Sequence, residues 1–385
     1  MAVDIQIVSR HPIAPHGTTQ LRCNQPAEYL RSAGFTVELG ALYRTVPKAR
    51  KLVILHRALL NPHARGFIES AKARGCAVVY DTDDLLFDRE GGSYLQGGQK
   101  GAQYSAGWQP YADAMSLCDA VSVSTSVLRD RAMAIHDDVY HLPNALSDDY
   151  LSLAETVYNA RRPRDVVNLA YLSGSQSHDA DFRVIEPHLL EVLYTHPQAR
   201  LILVGSLNIS AEFDAFGDRV ERRSFVPYAE YARVFDEIDI NLIPLEVEHV
   251  FCQAKSELKF LEAGACGVVS IASPTTPHRE IITDGANGYL AEGSDWAAKL
   301  SVLIKGASAR KTMGDAARQL ILERYSPSAR TQDWVKMVEA VLAKTEEREA
   351  MPLQHLASLP KLYASATKQK LKQRIAKRRN KSQGS

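Results

Sequence analysis

The sequence predicts an α/β protein made of two doubly wound, Rossmann-like domains that face a central cleft. A chain of 385 residues is longer than a single hydrophobic core usually supports. Short β-branched runs alternate with stretches of helical spacing, which is typical of parallel βαβ units. A polar, arginine-rich segment at 158–165 (YNARRPRD) interrupts this alternation and has the composition of a linker.

Eight strands are predicted, four on each side of the interruption. They lie at 4–8, 51–55, 77–80 and 120–123, and then at 166–172, 201–204, 238–243 and 268–272. We therefore expect a first domain at 1–157, a linker at 158–165 and a second domain at 166–326. A helix at 327–349 is expected to pack back toward the first domain, and a basic tail occupies 350–385.

The composition indicates an ordinary globular protein, because 45% of the residues are hydrophobic and 24% are charged. No apolar run approaches the roughly 18 to 20 residues that a membrane helix needs. The five cysteines are dispersed and form no CxxC pair, which predicts free thiols in a reducing compartment. We expect a cytoplasmic protein that is neither secreted nor membrane-spanning.

The tail is strongly basic. Residues 368–381 carry eight lysines and arginines and no acid, so subtracting these eight from the net charge of +1 leaves −7 for residues 1–367. The apolar residues interleaved with these charges suit an anionic inner-leaflet membrane surface. A solvated, disordered tail is an equal alternative. We expect no nucleic-acid partner, since no recognition motif accompanies the charges.

Candidate site residues are sought at the carboxyl ends of strands, where parallel sheets bind ligands. The segment VVYDTDDLLFD (78–88) places Asp81, Asp83 and Asp84 after a buried strand. Carboxylates with this spacing are compatible with a divalent cation. They are also compatible with contacts to a substrate or with helix capping.

The segment KSELKFLEAGACGVVSIAS (255–273) predicts an amphipathic helix that leads into a buried strand. Glu262 lies one turn beyond Leu258 and beside small residues, and a carboxylate in that setting suits the two vicinal hydroxyls of a ribose. Lys255 and Lys259, one turn apart, could neutralise a diphosphate. The alternative for the lysines is an ordinary surface position.

The segment at 255–273 resembles family 4 glycosyltransferases, which are retaining enzymes of the GT-B fold that use nucleotide sugars. Further matches, over residues 1 to about 340, are PHGTT (15–19), LPNA (142–145), VG (204–205), DINLIP (239–244) and REIITDGANGYL (279–290). The resemblance implies a metal-independent hexosyltransferase whose donor is a nucleotide diphosphate sugar, with no other cofactor. The sequence is similar to a subgroup of this family that acts in bacterial surface polysaccharide synthesis, which implies a glycan or lipid-linked acceptor.

The resemblance also implies a site. The donor would be bound by Gly17, Gly174, Ser175, Gly205, Lys259, Glu262, Thr275, Thr276 and Glu280, and the catalytic candidates are Asp83, Glu246 and Lys255. Glu262 is expected on the ribose, Lys255 and the Gly174–Ser175 turn on the diphosphate, and Asp83 on the sugar or the acceptor. No metal is expected, because a metal-binding Asp-x-Asp belongs to the single-domain GT-A fold.

Two departures from the family pattern keep other functions open. The family's paired glutamates lie eight positions apart, yet this chain has Ala254, so Glu246 is a candidate for a displaced sugar contact, with a surface acid as the alternative. The family's arginine–lysine grip on phosphate is missing, and His178 and Asp179 there could form a catalytic pair or a helix cap. A catalytically silent GT-B module is the main alternative. A GT-B enzyme that is not a transferase, such as a sugar-nucleotide epimerase, is a third.

Overall fold

The computed structural model describes residues 3–92, 107–173 and 179–350, the last four of them as backbone only. Residues 1–338 form one compact unit, and 339–350 are the described part of a second unit. No helix in the described ranges is both long and apolar enough to cross a membrane.

The first half of the chain contains a six-stranded parallel sheet in the order β2-β1-β3-β4-β5-β6. The strands are β1 (Val3–Ser9), β2 (Val37–Ala41), β3 (Ala49–His56), β4 (Ala77–Thr82), β5 (Ala120–Val123) and β6 (Val139–His141). The helices are α1 (Gly17–Thr19), a π-helical segment (Gln20–Asn24), α2 (Gln25–Ser32), a 3₁₀ turn (Leu42–Arg44), α3 (Pro62–Ala73), α4 (Gln109–Ser116) and α5 (Ser126–Ala132).

The second half repeats this plan with a parallel sheet in the order β12-β11-β10-β7-β8-β9. Its strands are β7 (Val167–Leu172), β8 (Ala199–Val204), β9 (Val220–Arg223), β10 (Ile240–Ile243), β11 (Val269–Ala272) and β12 (Tyr289–Leu290). Its helices are α6 (Asp148–Ala160), α7 (Asp179–Arg183), α8 (Glu186–Thr195), two 3₁₀ segments (Ala211–Arg219 and Tyr228–Asp236), α9 (Val250–Gln253), α10 (Leu258–Ala265), α11 (Thr276–Ile281), α12 (Asp295–Lys305), α13 (Ala307–Arg324) and α14 (Pro327–Ala350). The two doubly wound sheets confirm the predicted fold class.

The strand register brings the ends of distant segments to one edge. Ser9 of β1 pairs with His56 of β3, and His56 pairs with Asp81 of β4. These three residues are at or near the carboxyl ends of their strands, so the loops that follow them are neighbours. The buried apolar residues of β3, β4 and β5 pack against α3 and α4 and hold this edge in place.

The chain passes from the first half to the second earlier than the expected boundary at 157. Helix α6 packs on the second sheet, where Tyr150 and Val157 join the core of Leu172 and Ile202. The chain therefore crosses over at about 142–147, before α6, and the first three residues of the expected linker are helical. Arg161, within the expected linker, donates to the carbonyl oxygens of Phe235 and Ile238, so this segment is fixed to the second half.

The beginning of α14 returns to the first half. Trp334 is 2% exposed, and its ring centroid lies 5.2 Å from the guanidinium of Arg22. A cation over an indole face is favourable when both groups are desolvated. The helix thereby fastens the end of the second half to the helical run that follows β1.

Candidate functional site

Asp81, at the end of β4, is a fully buried carboxylate whose oxygens are all used by protein donors. Arg22 donates from Nε (3.1 Å) and from Nη2 (2.5 Å), and Ser122 donates its hydroxyl at 2.6 Å. His56 Nδ1 lies 3.0 Å away. Burial would raise the pKa of Asp81, but the charge and hydrogen bonds of Arg22 and His56 hold it well below its ordinary value. Asp81 thus has a structural role and offers no lone pair to a metal.

Asp83 and Asp84 share one arginine. Arg57 approaches Asp83 at 2.6 Å and Asp84 at 2.7 Å. Burial opposes ionisation of Asp83, but Arg57 holds its pKa below the ordinary value, whereas burial and the charge of Asp83 raise the pKa of Asp84. The arginine itself has φ 49°, in the left-handed region that non-glycine residues rarely adopt. These contacts, and not helix caps, are what the two aspartates make.

A hydrogen-bonded chain joins the two carboxylate centres. His56 Nε2 lies 3.0 Å from the hydroxyl of Thr18, and that hydroxyl lies 2.7 and 2.8 Å from the oxygens of Asp83. Thr18 follows Gly17 in the loop after β1. Since His56 is fully buried, it reaches the edge of the sheet only through this threonine.

Lys255 pairs with a carboxylate that the sequence analysis did not single out. Its ammonium lies 2.9 Å from Asp181, which is fully buried. Burial would lower the pKa of Lys255, but the charge of Asp181 raises it above its ordinary value. Lys255 also interacts electrostatically with Asp84 of the first half. The lysine is therefore a cation between the two halves, not an ordinary surface residue.

Glu246 lies in the same cluster. Its backbone amide donates to Asp181 at 3.4 Å, and one oxygen each of Glu246 and Asp181 lies within 4.8 Å of the sulfur of Cys252. Among the described residues this is the one group with three possible metal-ligand atoms so close together. The ammonium of Lys255 already contacts it, and a second positive charge there would be repelled.

Glu262 lies on α10 and is 5% exposed, and no donor among the described residues contacts its carboxylate. Burial raises its pKa to about 8. Lys259, one turn earlier, has a pKa lowered to about 8 by burial and by the charge of Lys255, and its ammonium lies 4.8 Å from the ring centroid of Tyr171. A buried acid without donors is costly unless a ligand supplies them.

A second buried polar atom without a partner lies near this carboxylate. The hydroxyl of Tyr228 is buried and has no hydrogen-bond partner in the described part of the chain. It interacts electrostatically with Glu262, and its ring stacks on that of Tyr150 at 5.7 Å. Tyr150 donates to the carbonyl oxygen of Glu262 at 3.1 Å. Among the described residues neither the carboxylate of Glu262 nor the hydroxyl of Tyr228 has a hydrogen-bond partner, so both can serve a ligand with hydroxyl groups.

The candidates around α11 have different surroundings. Thr275 is fully buried and its hydroxyl lacks a partner among the described residues, whereas the amide of Thr276 is used by Gln253 at 3.0 Å. Glu280 accepts a hydrogen bond at 2.6 Å from Ser126 of the first half. Of these three, Thr275 is the one with a buried hydroxyl that lacks a partner among the described residues.

Two of the glycine candidates lie within the described residues, and their surroundings differ. Gly17 has φ +60°, and a Cβ built on it would meet nothing within 4 Å, so open space adjoins the loop. Gly205 has φ +93°, and a Cβ there would lie 2.2 Å from the carbonyl oxygen of Ser173. Close backbone packing therefore explains Gly205 without a ligand. Gly174, Ser175 and His178 lie outside the described residues, and Asp179 accepts from Asn208 at 2.7 Å.

Direct contacts hold the two halves together at this edge. Thr125 donates to the carbonyl oxygen of Ala254 at 3.2 Å, and Asn144 donates to Ser256 at 3.1 Å. Ala254 itself packs in the core of the first half. A buried alanine thus occupies the position where the family pattern has a glutamate, and the carboxylates of Asp181 and Glu246 lie nearby instead.

Comparisons with known proteins agree with this architecture. Residues 183–336 match the family model described as glycosyl transferase-like. No curated protein matches the sequence significantly. Among solved structures, HepE from Anabaena, determined with UDP and glucose, matches this chain with a TM-score of 0.59 at 12% identity. The match covers 88% of this chain and 100% of HepE.

Two further structures show the same fold. Sucrose-phosphate synthase from Thermosynechococcus elongatus matches with a TM-score of 0.57 at 14% identity. The match covers 89% of this chain and 100% of the synthase. The pneumococcal O-GlcNAc transferase GtfA, determined with UDP and GlcNAc, has a TM-score of 0.54 at 16% identity, over 76% of this chain and 57% of GtfA.

The fold defines an α/β protein with two six-stranded parallel sheets. In particular, the chain has the fold of the GT-B glycosyltransferases, and its second half carries the glycosyl transferase-like sequence signature. The predicted resemblance is confirmed at this level, while membership of the retaining family 4 stays a prediction.

Proposed function

We propose that this protein is a retaining glycosyltransferase that moves a hexose from a nucleotide diphosphate sugar to a glycan or lipid-linked acceptor. The observation that carries the proposal is the open pair on the second half, the buried carboxylate of Glu262 and the hydroxyl of Tyr228. A ribose presents two vicinal hydroxyls that would satisfy such a pair. The pair lies in the segment that matches the glycosyl transferase-like family.

The cations near this pair suit a diphosphate. Lys259 lies on α10 and Lys255 in the segment that precedes it, so the two are not one helical turn apart as predicted. Lys255 contacts Asp181, and Lys259 lies over the ring of Tyr171. Positive charge aimed at a leaving diphosphate stabilises the transition state without reorganisation. Thr275 offers a further hydrogen bond to the phosphates.

In the reaction we propose, the bond between the sugar's anomeric carbon and the phosphate oxygen breaks as the acceptor oxygen bonds to the same face of that carbon. The departing phosphate takes the proton of the acceptor hydroxyl. The protein's contribution is then orientation and charge stabilisation. Asp83, held by Arg57 and Thr18, would position the sugar or the acceptor, and Glu246 would contact the transferred sugar in place of a carboxylate at 254.

Thermal unfolding with added nucleotides tests this proposal, because a ligand that binds the native state raises the midpoint. We expect one nucleotide diphosphate and its sugar to stabilise the protein, with UDP and UDP-glucose tried first, and EDTA to leave the shift unchanged. Replacing Glu262 by Gln should reduce the shift, whereas the exposed Glu292→Gln should not. A shift that requires Mn²⁺ would contradict the metal-independent mechanism.

A catalytically silent binding module is the second candidate, and Ala254 favours it because the position lacks the family's carboxylate. Release of nucleotide diphosphate from a donor sugar separates the two functions. Binding without release, in the presence of acceptor extracts, would support the module. A change of the sugar without transfer would point to an epimerase.

The biological setting we propose is bacterial surface polysaccharide synthesis, such as O-antigen, capsule or exopolysaccharide, at the cytoplasmic face of the inner membrane. Residues 351–385 of the basic tail lie outside the described residues, and the eight positive charges at 368–381 are the support for membrane association. Sedimentation with vesicles that contain phosphatidylglycerol tests this. A chain ending at residue 350 should lose the binding and keep its response to nucleotides.

A further inference from the structure

The first half carries an unusual distribution of charge. The sequence has no acidic residue between Asp4 and Glu28, and none between Glu38 and Glu69. The loops that follow β1, β2 and β3 all lie in these two stretches. Three adjacent loops at the carboxyl edge of the first sheet therefore contain only neutral and basic side chains.

Arg10 is the first residue after β1. It is partly buried, its guanidinium donates to the hydroxyl of Tyr111, and it lies 5.7 Å from the centroid of that ring. Tyr111 is 2% exposed and belongs to the core of the first half. The arginine is thus held by a neutral, rigid partner that does not compensate its charge.

Among the side chains that the structure describes, neither Arg10 nor Arg44 has a counter-ion, since no carboxylate lies within ion-pair distance of either arginine. Outside these side chains the sequence has acidic residues only at Glu347 and Glu349. Arg57 differs, since Asp83 and Asp84 both contact it. Two uncompensated guanidinium groups at a cleft edge attract an anion, and their planar forks suit phosphate and carboxylate.

An open depression of about 400 Å³ lies at the loop that follows β2. It is lined by Tyr43, Arg44, Thr45, Val46, Lys48 and His63. The rings of Tyr43 and His63 lie 5.3 Å apart, and Tyr43 is 44% exposed. Tyr111 interacts electrostatically with Arg10, Arg57 and Tyr43, so these groups surround one region. Exposed aromatic rings beside cations offer an apolar surface for a sugar ring and charge for its anionic substituent.

We propose that the first half binds an acceptor glycan that carries an anionic group, a phosphate or a carboxylate, held by Arg10 and Arg44 while a sugar ring lies on Tyr43 and His63. This inference rests on the proposed transferase function and narrows the acceptor of that same site. The anion would fix the orientation of the acceptor and so direct one hydroxyl toward the cleft.

Calorimetric titration of the full chain tests the proposal, with UDP present in excess to fill the donor site. The probes are glucose 1-phosphate, glucuronate and the neutral methyl α-glucoside. We expect an anionic probe to bind at least ten-fold more tightly than methyl α-glucoside. Replacing Arg10 or Arg44 by Gln should remove this preference. Arg50→Gln is the matched control, because Arg50 is exposed at the opposite, amino end of β3.

The outcomes are distinguishable. Tighter binding of glucose 1-phosphate than of glucuronate assigns a phosphate, and the reverse assigns a uronic acid. Equal binding of the neutral probe, or an unchanged preference in Arg10→Gln, overturns the inference. So does a loss of binding to phosphatidylglycerol vesicles in Arg10→Gln with sugar binding unchanged, since the arginines would then serve a membrane surface. Failure of UDP to bind the unmodified protein contradicts the proposed function instead. The same titration without UDP then shows whether the protein prefers the anionic probes to methyl α-glucoside.

Discussion

At the scale of single residues, hydrogen-bond donors distinguish two carboxylates that are similarly buried. Asp81 and Glu262 are both nearly inaccessible, but Asp81 receives donors from Arg22, His56 and Ser122 while Glu262 receives none from the described residues. The pKa values follow, with that of Asp81 lowered and that of Glu262 raised to about 8. The sequence shows one carboxylate at the end of a strand and one on a helix, and it does not reveal which of them receives protein donors.

The raised pKa of Glu262 predicts a pH dependence of stability. Between its ordinary pKa near 4.5 and about 8, the folded protein holds a proton that the unfolded chain has lost, so this group's contribution to stability declines as pH rises through that window. Glu262→Gln should remove that decline, and its unfolding free energy relative to the unmodified protein should increase from pH 5.5 to pH 8. Urea unfolding at both values measures it. Glu292→Gln should show no such trend, and a parallel pH profile for Glu262→Gln would refute the assignment.

The Arg22–Asp81 pair predicts a large loss of stability. Removing one partner of a buried ion pair leaves an uncompensated charge and costs about 3–5 kcal/mol. Arg22→Met should lower the unfolding free energy by that amount in urea titrations, and Arg22→Lys, which keeps the charge, should lose less. Arg50→Met, at an exposed arginine, is the control. Equal stability of Arg22→Met and Arg50→Met would show that the pair is not structural.

At the scale of elements, the sequence predicted the interior strands and missed the edges. All eight predicted strands exist, and the four that were not predicted, β2, β6, β9 and β12, are the edge strands of the two sheets. Interior strands of a parallel sheet are buried on both faces and form continuous apolar runs. Edge strands are partly exposed, and β9 (VERR) is mostly charged. Their conformation is set by pairing with a neighbour, which the local sequence does not show.

The turn after β8 predicts a difference between two glycines of the second half. Gly205→Ala places a methyl group against the carbonyl oxygen of Ser173 as well as straining the backbone, whereas Gly217 has φ +51° and open space around it. Gly217 combines this φ with ψ −127°, a region that other residues rarely adopt, and such strain costs about 1–3 kcal/mol. Gly217→Ala should lose about that much, and Gly205→Ala should lose more. Thermal and urea unfolding measure both. Equal losses would show that the contact with Ser173 relaxes without cost.

At the scale of the whole molecule, hydrogen bonds join the two halves. Ser126 donates to Glu280, and Asn144 accepts from Arg22 at 3.4 Å while donating to Ser256. The buried carboxylate of Asp81 is thereby linked through Arg22 and Asn144 to the segment that precedes α10. The five cysteines are all buried free thiols, as predicted, so no disulfide contributes to this arrangement.

The contact between Ser126 and Glu280 predicts an effect on closure of the cleft. A hydrogen bond to a carboxylate is worth about 1.5–3 kcal/mol, so Ser126→Ala should favour a more open arrangement. Small-angle scattering should show a larger radius of gyration, and the apparent affinity for the donor nucleotide should fall several-fold, because less of the protein is in the binding form. Ser116→Ala, at an exposed helix end, is the control. Unchanged scattering and affinity would mean that the remaining contacts suffice for closure.

The sequence by itself determined the fold class, the eight interior strands and the helix that carries Lys259 and Glu262, because apolar periodicity and small residues act locally. It also placed Lys255 on that helix, but α10 begins at Leu258 and Lys255 lies in the segment before it. Tertiary structure alone decided the partners: Asp181 for Lys255, Arg57 for Asp83, Tyr228 beside Glu262, and the crossing point before α6. These groups lie far apart in the chain and meet only because parallel strands end at a common edge. Such pairing is a property of the packed sheets, and no short sequence window contains it.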